Sequence, residues 1–353
     1  MAVVLETAGA STEDTVDLLV KIGGTQLDGE AAARLIDVSV AKVVGEAAQL
    51  TLRVAAWDSD SEELKWVDDE QFAPGATVEV ELGFVDRREK VFYGDIASLA
   101  LEASQTARAV LTITAYDVMH RLGRGQRSDV YKNKTYAGIV RDIAQRVYSL
   151  QVDATDDSDA DPEHKAINQK SESDLKFILE LAAEIGYELF ADGTKLVFRK
   201  SQATEPAQIT LDASNELLQF SAHLSASGQF GGVDVIALNS ETKERIKVSE
   251  NNPDSADDSY GSATTRTVIV EDALATEEQA KSRAKAELER MRNTYLDATA
   301  TAFGRVDIAA GMVIQIDNLG TRFGGAYYVN SVTHAMSATN GLRTTFSLKG
   351  QPR

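Results

Sequence analysis

The chain has 353 residues, 43% of them hydrophobic and 26% charged, with a formal net charge of −19 and no cysteine. That length predicts two or three domains of ordinary soluble globular type, and the missing cysteine removes disulfide and thiolate chemistry. The acid excess argues against nucleic-acid specificity, while the lack of a basic leader or of an apolar run near ~18 residues predicts no membrane insertion and cytoplasmic synthesis without a signal peptide.

Residues 1–15 are small and polar and read as a flexible tail. From Val16 to Tyr116 strand follows strand. Leu50, Leu52, Val54 and Ala56 alternate with polar neighbours, as do Val78, Val80, Leu82 and Phe84 after the turn signal Pro74-Gly75. With 17–22, 37–43, 90–102 and 108–116 this makes about six strands, enough for a closed or nearly closed barrel.

The pattern changes over 117–202 to an α/β middle domain. Thr135 is placed to cap a helix through Leu150, with Ile139, Ile143 and Val147 on one face. An acidic loop follows over 153–163. A second helix is predicted with Ser171 as its cap and Asp174 three residues on; Leu175, Ile178, Ala182 and Ile185 form its face, and Gly186 stops it. Asp192-Gly193 then turns a hairpin that sets Leu189 opposite Leu196 and Tyr187 opposite Phe198.

Strands return over 203–353, at 208–211, 217–224, 233–238, 264–270, 296–303, 312–316, 326–334 and 342–348, with a polar loop at 251–262. On the strand 217–224, His223 shares a polar side with Gln219 and Ser221, opposite Leu218, Phe220 and Leu224. Thr276 and Gln279 announce a helix with Ala280, Ala284, Leu288 and Met291 as its apolar stripe. The two β-rich parts also resemble each other. Pro74-Gly75 and Val78–Val80 parallel Ala310-Gly311 and Val313–Ile316, and at one constant offset Ile96–Leu99 falls on Val329–Val332 and Leu111–Thr114 on Thr344–Ser347. The fold class expected is therefore α+β and β-rich: two related antiparallel β-barrels with a helix-hairpin α/β domain between them.

Several short strings, in order, carry a family resemblance. They are Phe72-x-Pro74-Gly75, Gly83-Phe84 and Phe92-Tyr93-Gly94, then Ala115-Tyr116-Asp117, Gln169 and Ser171–Asp174, Phe177, Gly186-Tyr187, and finally Gly311, Phe323–Tyr327, His334 and Gly341. Together they resemble the phage late control D family, the baseplate hubs of contractile tails and injection systems, and the amino-terminal part of type VI secretion spikes. The resemblance implies tail-tube-like barrels in a homotrimeric structural protein without catalytic turnover, fitting a sixfold tail tube to a threefold spike. Its expected partners are the tail-tube protein, a spike protein and baseplate wedge components, in a particle that lysis can release. Because the chain ends at Arg353 without an OB-fold and needle, the spike is expected to be a separate protein.

Chemistry-bearing motifs are sparse. The acidic run Asp153, Asp156, Asp157, Asp159, Asp161 lacks the sixth-position Gly and closing Glu of an EF-hand, so it reads as a solvated loop. His120, His164, His223 and His334 are scattered without metal-ligand spacing, and no nucleophile elbow, Walker loop or dinucleotide fingerprint is present; no cofactor or metal is expected. Gly123–Arg127 reads as a turn between domains. Arg87 and Arg88, with Lys281, Arg283, Lys285 and Arg290 on the last helix, are the candidate residues for docking an acidic neighbour. Two other functions fit the composition: a cell-wall glycosidase using two of the 55 acidic residues, or a glycan-binding β module, for which 7% aromatic residues is little support.

Overall fold

The computed structural model describes residues 3–5, 15–85, 87–104, 109–225, 230–239, 242–253, 265–271 and 276–350. Most of the tail expected over 1–15 and of the polar loop expected over 251–262 lies outside these. Within the former, Val3–Leu5 pairs along Val16–Leu18, and Thr15 is buried.

The six strands expected in the first part are all present: β1 (Val16–Ile22), β2 (Leu35–Val43), β3 (Gln49–Ala55), β4 (Thr77–Phe84), β5 (Arg87–Glu102) and β6 (Val110–Tyr116). They lie side by side as β1-β4-β5-β6-β3-β2, each pair antiparallel. Strict alternation decides what is inside. Leu50, Leu52, Val54, Val80 and Leu82 are fully buried. On the opposite face, Glu79 meets Lys21 and Lys90 at 3.0 and 2.6 Å.

In the middle segment a short helical turn, Met119–Leu122, is followed by β7 (Arg127–Lys134), which pairs with β9 (His164–Glu172), a ribbon that the sequence did not suggest because its residues are polar. Helix α1 (Tyr136–Ile143) is capped by Thr135 as expected, but gives way to a π-helical turn over Ala144–Tyr148 and ends at left-handed Ser149. Asp153, expected in a loop, lies on β8 (Gln151–Ala154). Helix α2 (Asp174–Ile185) is capped by Ser173 and not by Ser171. Ser171 sits two residues too early, still on β9, with its hydroxyl 3.2 Å from that of Ser128.

The hairpin of β10 (Tyr187–Asp192) and β11 (Lys195–Lys200) also departs from expectation. Asp192 pairs with Lys195, so Gly193-Thr194 makes the turn and Leu189 faces Phe198. Gly193 has φ +58°, the left-handed value that a two-residue turn of this kind places on its first central residue. The register differs by two residues, an even slip, so Tyr187, Leu189, Leu196 and Phe198 still share the buried face.

The last part begins with β12 (Ile209–Asp212) and β13 (Leu217–Leu224). A small layer follows: β14 (Gly232–Leu238), β15 (Arg245–Asn251), β16 (Arg266–Glu271) and helix α3 (Glu277–Arg292). Thr276 and Gln279 close the expected capping box, and Ala280, Ala284 and Leu288 pack on Val233 and Val235 as an apolar cluster of their own. The chain finishes in β17 (Leu296–Phe303), β18 (Val313–Asp317), β19 (Gly325–Ser337) and β20 (Gly341–Gly350).

Strands β12-β18-β19-β20-β17-β13 repeat the order of β1-β4-β5-β6-β3-β2, with the same succession along the chain. Two irregularities repeat as well, although the bulge at Val91 between β4 and β5 has no counterpart between β18 and β19. The β5–β6 ladder skips Ala97 and the β19–β20 ladder skips Asn330; the β2–β3 ladder skips Ile36 and the β13–β17 ladder skips Leu218. Gly75 donates its N–H to Ile96 O at 2.7 Å, and Gly311 donates to Val329 O at 2.8 Å, both glycines at positive φ. Bulges are placed features of a sheet, so two at matching positions mark the parts as copies of one arrangement. The copies differ at one end: β1 is antiparallel to β4, whereas β12 is parallel to β18.

Among the described residues the first copy is not closed on itself by ladder hydrogen bonds. One edge of β2 pairs with β3, and the other pairs with β19 of the second copy, Asp37–Val43 against Ser337–Ser331. The ladder therefore runs on from one copy into the next, and Met336 and Leu342 of the second copy complete the core of the first.

Candidate functional site

Several groups with displaced titration stand where the parts of the chain meet. At the seam between the two copies, Lys42 of β2 is held below the usual lysine range by burial, opposed by the charge of Asp117. Burial pushes Asp117 up to about 6. Its two oxygens accept from Ala48 N and Met119 N, each at 2.9 Å, tying the first copy to the middle segment. His334 of β19 is pushed down to about 4 by burial and by the charge of Lys42. Its Nδ1 is 3.1 Å from the hydroxyl of buried Thr344.

Two further joints follow the same plan. Burial raises Glu188 of β10, which accepts from the hydroxyl of Tyr328 on β19, while Arg199 donates to Gly311 O at 3.2 Å. His164, also pushed down to about 4 by burial, stacks on Tyr136 at 4.3 Å and lies 3.1 Å from the Gln279 amide of α3. Buried polar groups with partners hold one geometry and penalise others. These residues therefore serve to fix the two copies, the middle segment and α3 relative to one another.

The acidic run is less solvated than its composition suggests. Asp161 is buried and accepts from Tyr136 N and Ala137 N at 2.7 and 2.8 Å, at the start of α1. Arg141 holds Asp156 through two bonds of 2.8 Å. Among the described residues no three His, Cys, Asp or Glu side chains converge to hold a metal ion. No helix of the described residues is long and apolar enough to cross a membrane.

The six candidate docking residues fall in two separate places. Arg87 is exposed at the start of β5, while neighbouring Arg88 is engaged with buried Asp17 at 3.0 Å. On α3, Arg290 binds Glu287 and Arg283 reaches Ala183 O at 3.4 Å, leaving Lys281 and Lys285 on the exposed side. His223 lies on the exposed face with Gln219 and Ser221, as expected, but Leu218 is also 54% exposed because the bulge there turns it outward. Sequence reasoning missed Lys42, Glu188 and Tyr328, which are in no motif, and named Asp117 only as the end of the string Ala115-Tyr116-Asp117 without giving it a role; their pairing across distant strands brings them together.

This fold is that of phage tail proteins. The crystal structure of the prophage MuSo2 43 kDa tail protein from Shewanella oneidensis is similar with a TM-score of 0.73 at 15% identity, over 94% of this chain and 98% of that one. A tail protein from Neisseria meningitidis MC58 is similar with a TM-score of 0.72 at 15% identity, over 95% and 96% of the two chains. An Escherichia coli component of the type VI secretion system gives 0.62 at 14% identity, over 95% and 79%. Residues 12–338 match the family model of the Alg8 N-terminal domain, and the chain belongs to that family. No curated protein sequence matches it.

Proposed function

We propose that this protein is a structural component of a contractile tail or injection particle: a baseplate hub of the late control D kind that assembles as a homotrimer and performs no catalytic turnover. Three chains, each contributing two copies of one six-strand arrangement, imitate six units. One face of that ring seats a sixfold tail tube, the other a separate threefold spike, with wedge components outside. In this reading residues 16–116 and 203–353 supply the two tube-like barrels and residues 117–202 the domain between them. Arg87, Lys281 and Lys285 are the docking cations left available for an acidic neighbour.

The observation that carries the reading is the repeated strand order with its two matching bulges, continued across the β2–β19 ladder. A chain that already makes one step between equivalent units has the geometry of a ring segment. The likeness in fold to tail and type VI secretion proteins supports the same setting. The purified chain is expected to have three times the monomer mass of 38.1 kDa and to show threefold rings in negative-stain images. A monomer at high concentration that binds neither tube nor spike protein would defeat the reading.

A further inference from the structure

We infer that the edge strand β13 of one copy of this chain pairs antiparallel with the outer half of β5, Leu99–Glu102, in a second copy. This rests on the ring reading above, yet it names a surface that can fail while the ring stands. Inside the chain, β2 covers the outer half of β19, with Val40 opposite His334 and Ala41 opposite Thr333. The matching bulges align β2 with β13, so Val40 corresponds to Ala222, and align β19 with β5, so His334 corresponds to Leu101. Repeating the internal step once more places Leu101 opposite Ala222, Ala100 opposite His223, Leu99 opposite Leu224 and Glu102 opposite Ser221.

Among the described residues both partners of that pairing are uncovered. β13 stands at the end of the sheet, and along the outer half of β5 only the β6 side is occupied among the described residues. Leu101 is 41% exposed, whereas its counterpart His334 is 3% exposed under β2. Along β13, Phe220 and Ala222 are half-buried where their β2 counterparts Val38 and Val40 are fully buried, and Ser221 and His223 are exposed where Ser39 and Ala41 are half-buried. Edges that must stay single carry lysine, proline or inward charge. The run Leu217–Leu224 has no charged residue and no proline, in a chain that is 26% charged. An edge of that kind is a template for another strand, with backbone bonds supplying affinity and register.

The second copy is favoured as the occupant because the pairing is heterologous. After β13 of one chain meets β5 of the next, that next chain again presents a free β13, and the steps continue until the ring closes. A twofold pairing of β5 with β5, or β13 with β13, would stop at two chains.

The chain contains no cysteine, so engineered pairs report without background. Directly opposed residues in an antiparallel ladder lie about 4.5–5.5 Å apart at Cα, within disulfide reach. Oxidation of Leu101→Cys/Ala222→Cys or Ala100→Cys/His223→Cys should give reducible intermolecular links in high yield. The slipped pair Leu101→Cys/Leu224→Cys should give at least tenfold less. Leu101→Lys, at a position exposed in the single chain, should weaken self-association at least tenfold with an unchanged circular dichroism spectrum. Assembly without either in-register link and indifferent to Leu101→Lys overturns the edge pairing and leaves the ring. Linkage by Leu101→Cys alone shows a twofold contact and also overturns it. A chain that stays monomeric overturns both.

Discussion

His334 shows how much a seam changes one side chain. It lies 3% exposed between β2 and β20, with Thr344 as its hydrogen-bond partner, and burial holds it at about 4. A histidine whose folded value is below its unfolded value of about 6.5 gives stability that is complete above pH 6.5 and is lost as the pH falls towards 4. Asp117 works the other way: its folded value of about 6 means that the cost of ionising it is complete above pH 6 and is relieved as the pH falls towards 3.8. The two partly offset each other between pH 4 and 6, so net stability is a poor readout and the imidazole itself is the better one. In an NMR titration the ring signals of His334 and His164 should move with midpoints near 4. A midpoint near 6.5 for His334 would mean that the seam is open to water.

At the scale of elements, the start of α2 separates two serines that stand two residues apart. Ser173 accepts from Lys176 N at 3.2 Å, whereas Ser171 belongs to the β7–β9 ribbon at φ +49°. Asp174, read from the sequence as the third residue of a cap, is instead buried and bound by Arg127 at 3.2 Å and by Gln169 at 2.9 Å. Replacing an N-cap serine with alanine costs about 1 kcal/mol. Ser173→Ala should therefore lower the unfolding free energy obtained from urea titration by that amount, and Ser171→Ala, which removes only a hydroxyl contact on an exposed ribbon, by clearly less. The reverse ranking would return the cap to Ser171.

At the scale of the whole molecule, the two copies share one ladder and part of one core, so neither should unfold alone. Both tryptophans, Trp57 and Trp66, lie in the first copy, and fluorescence reports that copy while far-ultraviolet circular dichroism reports the whole sheet. At one fixed protein concentration the two urea transitions should coincide. Met336→Ala, which hollows the first core from the second copy, should shift both together by about 2–5 kcal/mol. A fluorescence transition that is unmoved by Met336→Ala would show that the first copy stands on its own.

Much of this architecture was legible in the residues. The alternation of Val78, Val80 and Leu82, the box of Thr276 with Gln279, and the constant offset that lays Ile96 on Val329 are local signals, set by strand period, helix-end chemistry and chain succession. They located the six strands of the first part, the last helix and the duplication. The partner of each edge was left undecided, because the hydrogen bonds that join β2 to β19 connect residues some three hundred positions apart and leave no period in the sequence. Tertiary structure alone decided that the first copy runs on into the second, that Leu189 faces Phe198, and that half-buried Lys42 meets buried Asp117 and His334 at a seam. Each of those outcomes depends on which surfaces exclude water from one another, and that is a property of the assembled sheet.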